Sequence, residues 1–394
     1  MTGRLSTDPA ARLGPGPADV MLLTKGGLRE RIHDAMAGAA PRDFYYGFLG
    51  LLEGGVDARM QSTSAPYPGL PGSIHRVAER VWARLTGISR RHHFLDLREG
   101  DWRAARVAVS FTDQFSLTLG DYFAGRGNRP YTIGIFHGFC DFKRHLTPLG
   151  RWHAESYVRG ALDGLDHAAF LSPADRDQAI ACYGLDPEAT SVFRFGVDTA
   201  FWTPANAGER DDEAEFHVVS VGSDPNRDYD TLLEADLDCP VEIVTALAVA
   251  VPPSRPNVKL TAGNFFSSSL SDTELRDLYR RASVVAMPLK DVFQPSGYSV
   301  TLQAMACGRP VVLSRNKGLW APELLIDGEN CLLVPPGDPA ALAAAIGRLQ
   351  NDGDLARRLG LAARKTVEAH FTLAHMDRSL AELIAHVPDH DGQV

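Results

Sequence analysis

Five cysteines in 394 residues are too few and too scattered for a disulfide framework, and their number is odd. Cys140, Cys182, Cys239, Cys307 and Cys331 include no CxxC pair, so the sequence predicts free thiols in a reducing, cytoplasmic setting, without a zinc site. Long apolar runs are missing as well. None approaches the roughly 18 to 20 residues of a membrane span, and one of the longest, at 243–251, is cut off by Pro252 and Pro253. This predicts no integral membrane association, and the polar N-terminus reads without a signal peptide. There is no basic excess: 40 Lys+Arg against 49 Asp+Glu give a net charge of −9, which argues against a nucleic-acid partner. Neither GxGxxG nor GxxxxGK[ST] occurs, which removes the nicotinamide and P-loop readings. No His/Asp/Glu cluster has metal-ligand spacing, so no metal is expected.

What is present is an ordinary globular composition, 44% hydrophobic and 23% charged, at a length that suits two domains. Charge divides unevenly. Residues 1–204 carry 23 basic and 22 acidic side chains, whereas residues 205–394 carry 17 and 27. Residues 1–18, dominated by Gly, Pro and small side chains, read as a mobile tail. Strand-like runs follow at 19–24, 106–111, 131–136, 168–171 and 191–195. After a polar stretch a second set appears at 216–221, 241–245, 258–261, 283–287, 310–313 and 331–334, with helical segments such as 271–282 and 340–350 between them. Strand and helix alternating twice over predicts an α/β chain with two parallel-sheet domains. Ligands of such sheets are expected at the C-terminal strand ends, in an interdomain cleft. Ile74, Val77, Val81, Leu85 and Ile88 recur at helix spacing and predict a buried face. Arg76, Arg80 and Arg84 form a stripe beside it, read as a solvated face rather than a lipid-binding one.

The most informative stretch is QPSGYSVTLQAMACG at 294–308, followed by RPVVLS. Pro295, Ser296 and Gly297 predict a turn, and a helix is expected from about Ser299 to Cys307. Gly297 and the first amides of that helix would offer N–H donors at a positive dipole end, which suits a diphosphate. A plain loop and helix closed by Gly308 fits the same residues.

The 45 residues from 294 to 338 resemble the donor-binding signature of retaining GT-B glycosyltransferases of family 4, the glycosyl transferases group 1. In that family an acidic residue, a glycine loop and a second Glu precede AMACGxPVV, and PELLxDGxNGLLVPPGD follows. This chain has LQAMACGRPVV and APELLIDGENCLLVPPGD. The similarity is recognisable from about 216 to 372 and patchy in the first half. It implies a GT-B fold of two Rossmann-like domains: residues 19–200 as the acceptor-binding domain, completed by a crossing helix within 373–394, and residues 201–372 as the nucleotide-sugar donor domain.

The resemblance also implies roles. The two family glutamates, which contact the donor sugar and the ribose, are replaced by Gln294 and Gln303, one residue further apart. Glutamine keeps hydrogen-bonding capacity without charge, so neither position can supply a carboxylate nucleophile. Asp291 is a further candidate for a sugar contact. VVSVGSDPNRDYDTLLEA at 218–235 is similar to the first strand and loop of the donor domain, where an Arg and a Lys bind the phosphates. Ser223, after Gly222, stands at the Arg position and Arg227 at the Lys position; a surface ion pair of Arg227 with Asp224 or Asp228 is the plainer reading. Gly222, Ser223, Arg227, Pro295, Ser296, Gly297, Tyr298, Ser299 and Gln303 thus form the implied donor set. His137, after YTIGIF, resembles the N-domain histidine near the transferred sugar, and with Gln294 it makes the implied catalytic pair; a structural histidine bonded to backbone fits it as well. Gly26 and Gly27 after the first strand, together with Asp113 at the end of VSFTD, form an implied acceptor or phosphate loop.

The expected activity is therefore retaining transfer from a UDP- or GDP-linked sugar to a small, soluble acceptor, with no cofactor and no metal. The leaving phosphate would help to deprotonate the acceptor. Loss of both carboxylates motivates one alternative, a catalytically silent relative that binds a sugar nucleotide or a partner enzyme. A sugar-nucleotide 2-epimerase, which would need ionisable acid and base groups, is another.

Overall fold

Short apolar runs closed by Gly, Pro or polar residues become twelve parallel strands in the computed structural model, which describes residues 8–62, 70–96, 98–141, 146–206, 215–263 and 270–388, without the side chains of 62, 70–76 and 93. The first six strands are β1 (Val20–Thr24), β2 (Ala58–Ser62), β3 (Val107–Phe111), β4 (Tyr131–Phe136), β5 (His167–Phe170) and β6 (Thr190–Val192), in the order β2-β1-β3-β4-β5-β6. The second six are β7 (Val218–Val221), β8 (Val241–Thr245), β9 (Val258–Ala262), β10 (Val284–Met287), β11 (Val311–Ser314) and β12 (Leu332–Val334), in the order β12-β11-β10-β7-β8-β9. Every residue of β1, β3, β7, β10 and β11 is buried. Helices cover both faces of such strands, which is why the sequence reads as continuous apolar runs and not as alternation.

The chain divides into two compact units. One comprises the described residues of Met1–His33, Phe44–Arg194 and Met376–Val394, and the other those of Asp34–Asp43 and Phe195–His375. Each sheet reverses its strand order at one point, between β1 and β3 in the first and between β7 and β10 in the second. The C-terminal ends of the strands at such a switch point are the usual ligand position of a doubly wound sheet.

Several expectations change. Strand β2 was not legible, because ARMQS alternates polar side chains that the fold buries or ties down: Gln61 is buried, donating to Phe94 O and accepting from Trp102 Nε1. Of the expected mobile tail, residues 1–7 lie outside the described residues. Residues 8–18 are packed instead: Pro9–Arg12 form a 3-10 helix, buried Arg12 pairs with Asp57 at 2.7 Å, and Leu13 bridges to Met60. The helix Leu70–Thr86 does not bury the face its periodicity predicts. Val77, Val81 and Leu85 are 54%, 52% and 55% exposed, Ile88 just beyond the helix is buried as expected, and the side chain of Ile74 lies outside the described ones. The helix packs through the adjoining face instead, where Trp82 meets His153 edge-on at 5.4 Å and Thr86 lies against Gly150. Arg76 lies outside the described side chains. No helix among the described residues is long and apolar enough to cross a membrane.

Candidate functional site

In the second unit, the loops after β7 and β10 zip together at the switch point. Lys290 N donates to Asn226 O, and Asp228 N to Pro288 O. This holds Arg227 between the two loops, 5% exposed. Its Nη1 donates to the Sδ of Met287, and its Nε has no partner. Neither nearby carboxylate pairs with it. Asp228 caps the helix Tyr229–Glu234 by accepting from Thr231, and Asp224 accepts from Asn226 N, Gln294 Nε2 and Ser296 Oγ. A buried guanidinium without a counter-ion is costly unless an anion completes it.

Two glycines make room for that guanidinium. Gly222 has φ 145°, and a Cβ there would run into the Nε and Nη2 of Arg227. Gly297 has φ 81°, and a Cβ there would lie 2.7 Å from Nη1. Gly297 is also the N-cap of the helix Tyr298–Ala306 and provides no side-chain cap. The first-turn amides, those of Ser299 and Val300 among them, have no intrahelical carbonyl and sit at the positive end of the helix dipole. A forked cation thus lies beside a helix N-terminus at the switch point, an arrangement suited to a diphosphate.

The remaining donor-set residues are distributed unequally. Pro295 and Ser296 are buried beneath the turn. The Tyr298 ring stacks on Trp320 at 4.6 Å and anchors the helix in the core. Ser223 Oγ donates to Gly263 O and accepts from Ala246 N, joining the loops beyond β8 and β9. Buried Gln303 turns its amide inward, donating to Asp43 Oδ2 at 3.0 Å and accepting from Tyr279 OH. Asp43 also accepts from Asp198 N at 2.6 Å and Trp202 Nε1 at 2.8 Å; burial pushes its carboxyl up to about 7 against these bonds. Asp291, the further sugar-contact candidate, pairs with Lys317 at 3.0 Å.

In the first unit, Gly26 and Gly27 follow β1, Asp113 opens the helix Asp113–Phe123 after β3, and His137 follows β4. All four therefore lie at the C-terminal edge of the first sheet. Asp113 Oδ1 accepts from His137 N at 2.8 Å and Gly138 N at 3.1 Å, and burial, with Asp175 nearby, pushes its carboxyl up to about 7. Thr112, between β3 and Asp113, has φ 80°, a strained conformation for a β-branched residue. The backbone of His137 is thus structural, but its ring is not: Nε2 has no partner. Burial pushes the imidazole down to about 4, so it is neutral near pH 7. Tyr46 lies against it at 5.6 Å and stacks on Phe111 at 4.6 Å. A separate cavity of about 480 Å³, lined by Arg159, Asp166, His167 and Thr190 among others, opens at the N-terminal ends of β5 and β6, away from His137.

Residues 205–352 match the family profile of glycosyl transferases group 1. The MMP alpha-(1->4)-mannosyltransferase of Mycolicibacterium hassiacum is 30% identical over 287 residues, which cover 66% of this chain and 67% of that protein. The chain belongs to the glycosyl transferases group 1 family. Another relative is the alpha-maltose-1-phosphate synthase of Mycolicibacterium smegmatis, 29% identical over 280 residues, covering 60% of this chain and 70% of that protein. The fold is that of a GT-B glycosyltransferase: HepE of Anabaena, solved in complex with UDP-glucose, superposes with a TM-score of 0.63 over 93% of this chain and 99% of its own, at 16% identity.

Within this group 1 chain, sequence reasoning missed Asp43, Tyr46 and the bonding of Asp224. Asp224 carried a usable signal, a carboxylate directly after a strand–glycine turn. Asp43 and Tyr46 carried none, because only the fold brings residues so early in the chain to Gln303 and His137.

Proposed function

We propose that the protein transfers a sugar from a UDP- or GDP-linked donor to a small, soluble acceptor, with retention of anomeric configuration. One observation carries this reading: the buried, unpaired guanidinium of Arg227, set between Gly222 and Gly297 beside the N-terminus of the helix Tyr298–Ala306. A nucleoside diphosphate supplies the missing charge. Arg227 and the helix amides stabilise it most when it departs as a dianion or trianion, so they favour the transition state over the bound donor. The same donors remove the need for a divalent cation, and activity should persist in EDTA. Gln294 and Gln303 carry no nucleophilic carboxylate, so the leaving phosphate is the base that takes the acceptor proton. His137, neutral and with Nε2 unengaged, hydrogen-bonds the transferred sugar.

The test is incubation with UDP- and GDP-hexoses, with mass spectrometry for a glycosylated product and NMR for its anomer, alongside titration with UDP and GDP. A glycoside with the donor's anomeric configuration supports the reading. No binding of either nucleotide and no release of nucleoside diphosphate would overturn it.

A further inference from the structure

Asp224 has a chemical position the diphosphate does not explain. Its carboxylate is half-buried in the same loop as Arg227, three residues earlier, yet the two do not pair. Three donors hold it: Asn226 N at 2.7 Å on Oδ1, and Gln294 Nε2 at 2.6 Å and Ser296 Oγ at 3.2 Å on Oδ2. A carboxylate offers about four acceptor positions, so Oδ1 keeps one. The bonding also fixes the amide of Gln294. A carboxylate only accepts, so the NH2 of Gln294 must face Asp224, and its Oε1 takes the remaining donor, Asn226 Nδ2 at 3.0 Å. A glutamate at 294 would set two carboxylates against each other at 2.6 Å, so the neutral residue at 294 is the complement of the charged one at 224.

A fixed anion beside a phosphate crevice cannot serve the phosphates. It serves a neutral part of the same ligand that carries hydrogen-bond donors, which in a nucleotide sugar is the hydroxyl-bearing ring. We infer that Asp224, oriented by Gln294 and Ser296, is the carboxylate that reads a hydroxyl of the donor sugar, while Gln294 gives one amide N–H to holding that carboxylate in place. This rests on the nucleotide-sugar reading above.

The test is calorimetric titration of the full chain and three variants, Asp224→Asn, Gln294→Glu and the double exchange, with UDP, UDP-glucose, GDP and GDP-mannose. Asp224→Asn should leave nucleoside diphosphate affinity unchanged or tighter and weaken the matching nucleotide sugar about tenfold, the scale of one lost charge-assisted hydrogen bond. Gln294→Glu should weaken both ligands, and the double exchange should recover the nucleoside diphosphate affinity that Gln294→Glu loses. Equal losses for both ligands in Asp224→Asn, no loss for either, or no recovery in the double exchange would overturn the assignment while leaving the transferase reading in place. A parent that binds no nucleotide would remove both.

Discussion

The Arg227 guanidinium is 5% exposed, donates to a thioether and has no paired carboxylate, a costly arrangement for a buried cation. The surrounding residues are shaped to keep it. Gly222→Ala places a methyl group into the guanidinium at a backbone angle that L-residues rarely adopt. UDP or GDP affinity should fall by about tenfold as Arg227 is displaced; calorimetry on the variant measures it, and unchanged affinity would contradict the placement of Arg227. At this scale the sequence was informative about identity and silent about state. The strands before them single out Arg227 and His137 as candidates. That Arg227 pairs with neither Asp224 nor Asp228, and that His137 is neutral with Nε2 unpartnered, depends on burial and on partners distant in the chain.

The helix Tyr298–Ala306 joins the site to the core. Stacking of Tyr298 on Trp320 fixes its start, and Arg364 fixes its end by donating to Ala306 O and Trp202 O. Its middle is fixed by Gln303, whose amide serves Asp43. Gln303→Glu would replace a donor with a second buried carboxylate beside the first, at a cost of about 2 kcal/mol or more. The melting temperature should therefore drop with no gain in transfer rate; a faster enzyme of parental stability would contradict this role. The elements themselves were largely legible. Eleven of the twelve strands lie where the sequence patterns place them, most plainly those buried on both faces, whose apolar runs are continuous. The helix Leu70–Thr86 was legible as a helix but not by face, because periodicity cannot say which of two adjoining stripes meets a neighbour.

Across the whole molecule, the sequence places an expected division near residue 200, and the two compact units meet in the chain at Arg194 and Phe195. It did not show that Asp34–Asp43 belongs to the second unit, because nothing local marks a short, alanine-rich segment as the closing piece of a distant core. Asp43 gives that segment a pH signature. Its folded-state value near 7 lies above the ordinary carboxylate value, so between about pH 4 and pH 7 the folded chain holds a proton the unfolded chain has lost. Its contribution to stability is complete below about pH 4 and is lost as the pH rises through 7. Asp113 acts in the same direction in the first unit. Melting curves from about pH 5 to 8 should fall more steeply for the parent than for Asp43→Asn; parallel curves would contradict the assignment.

Charge at this scale opposes the ligand. Residues 205–394 carry 17 basic and 27 acidic side chains, so long-range attraction cannot gather a diphosphate, and binding must rest on local donors. That places the weight of the functional reading on Arg227. The most direct measurement is calorimetric titration of the parent and Arg227→Ala with UDP, GDP and the corresponding nucleosides. The expected result is a loss of about thirtyfold in diphosphate affinity, near 2 kcal/mol, with nucleoside affinity almost unchanged. Equal losses for diphosphate and nucleoside, or a parent that binds neither nucleotide, would contradict it.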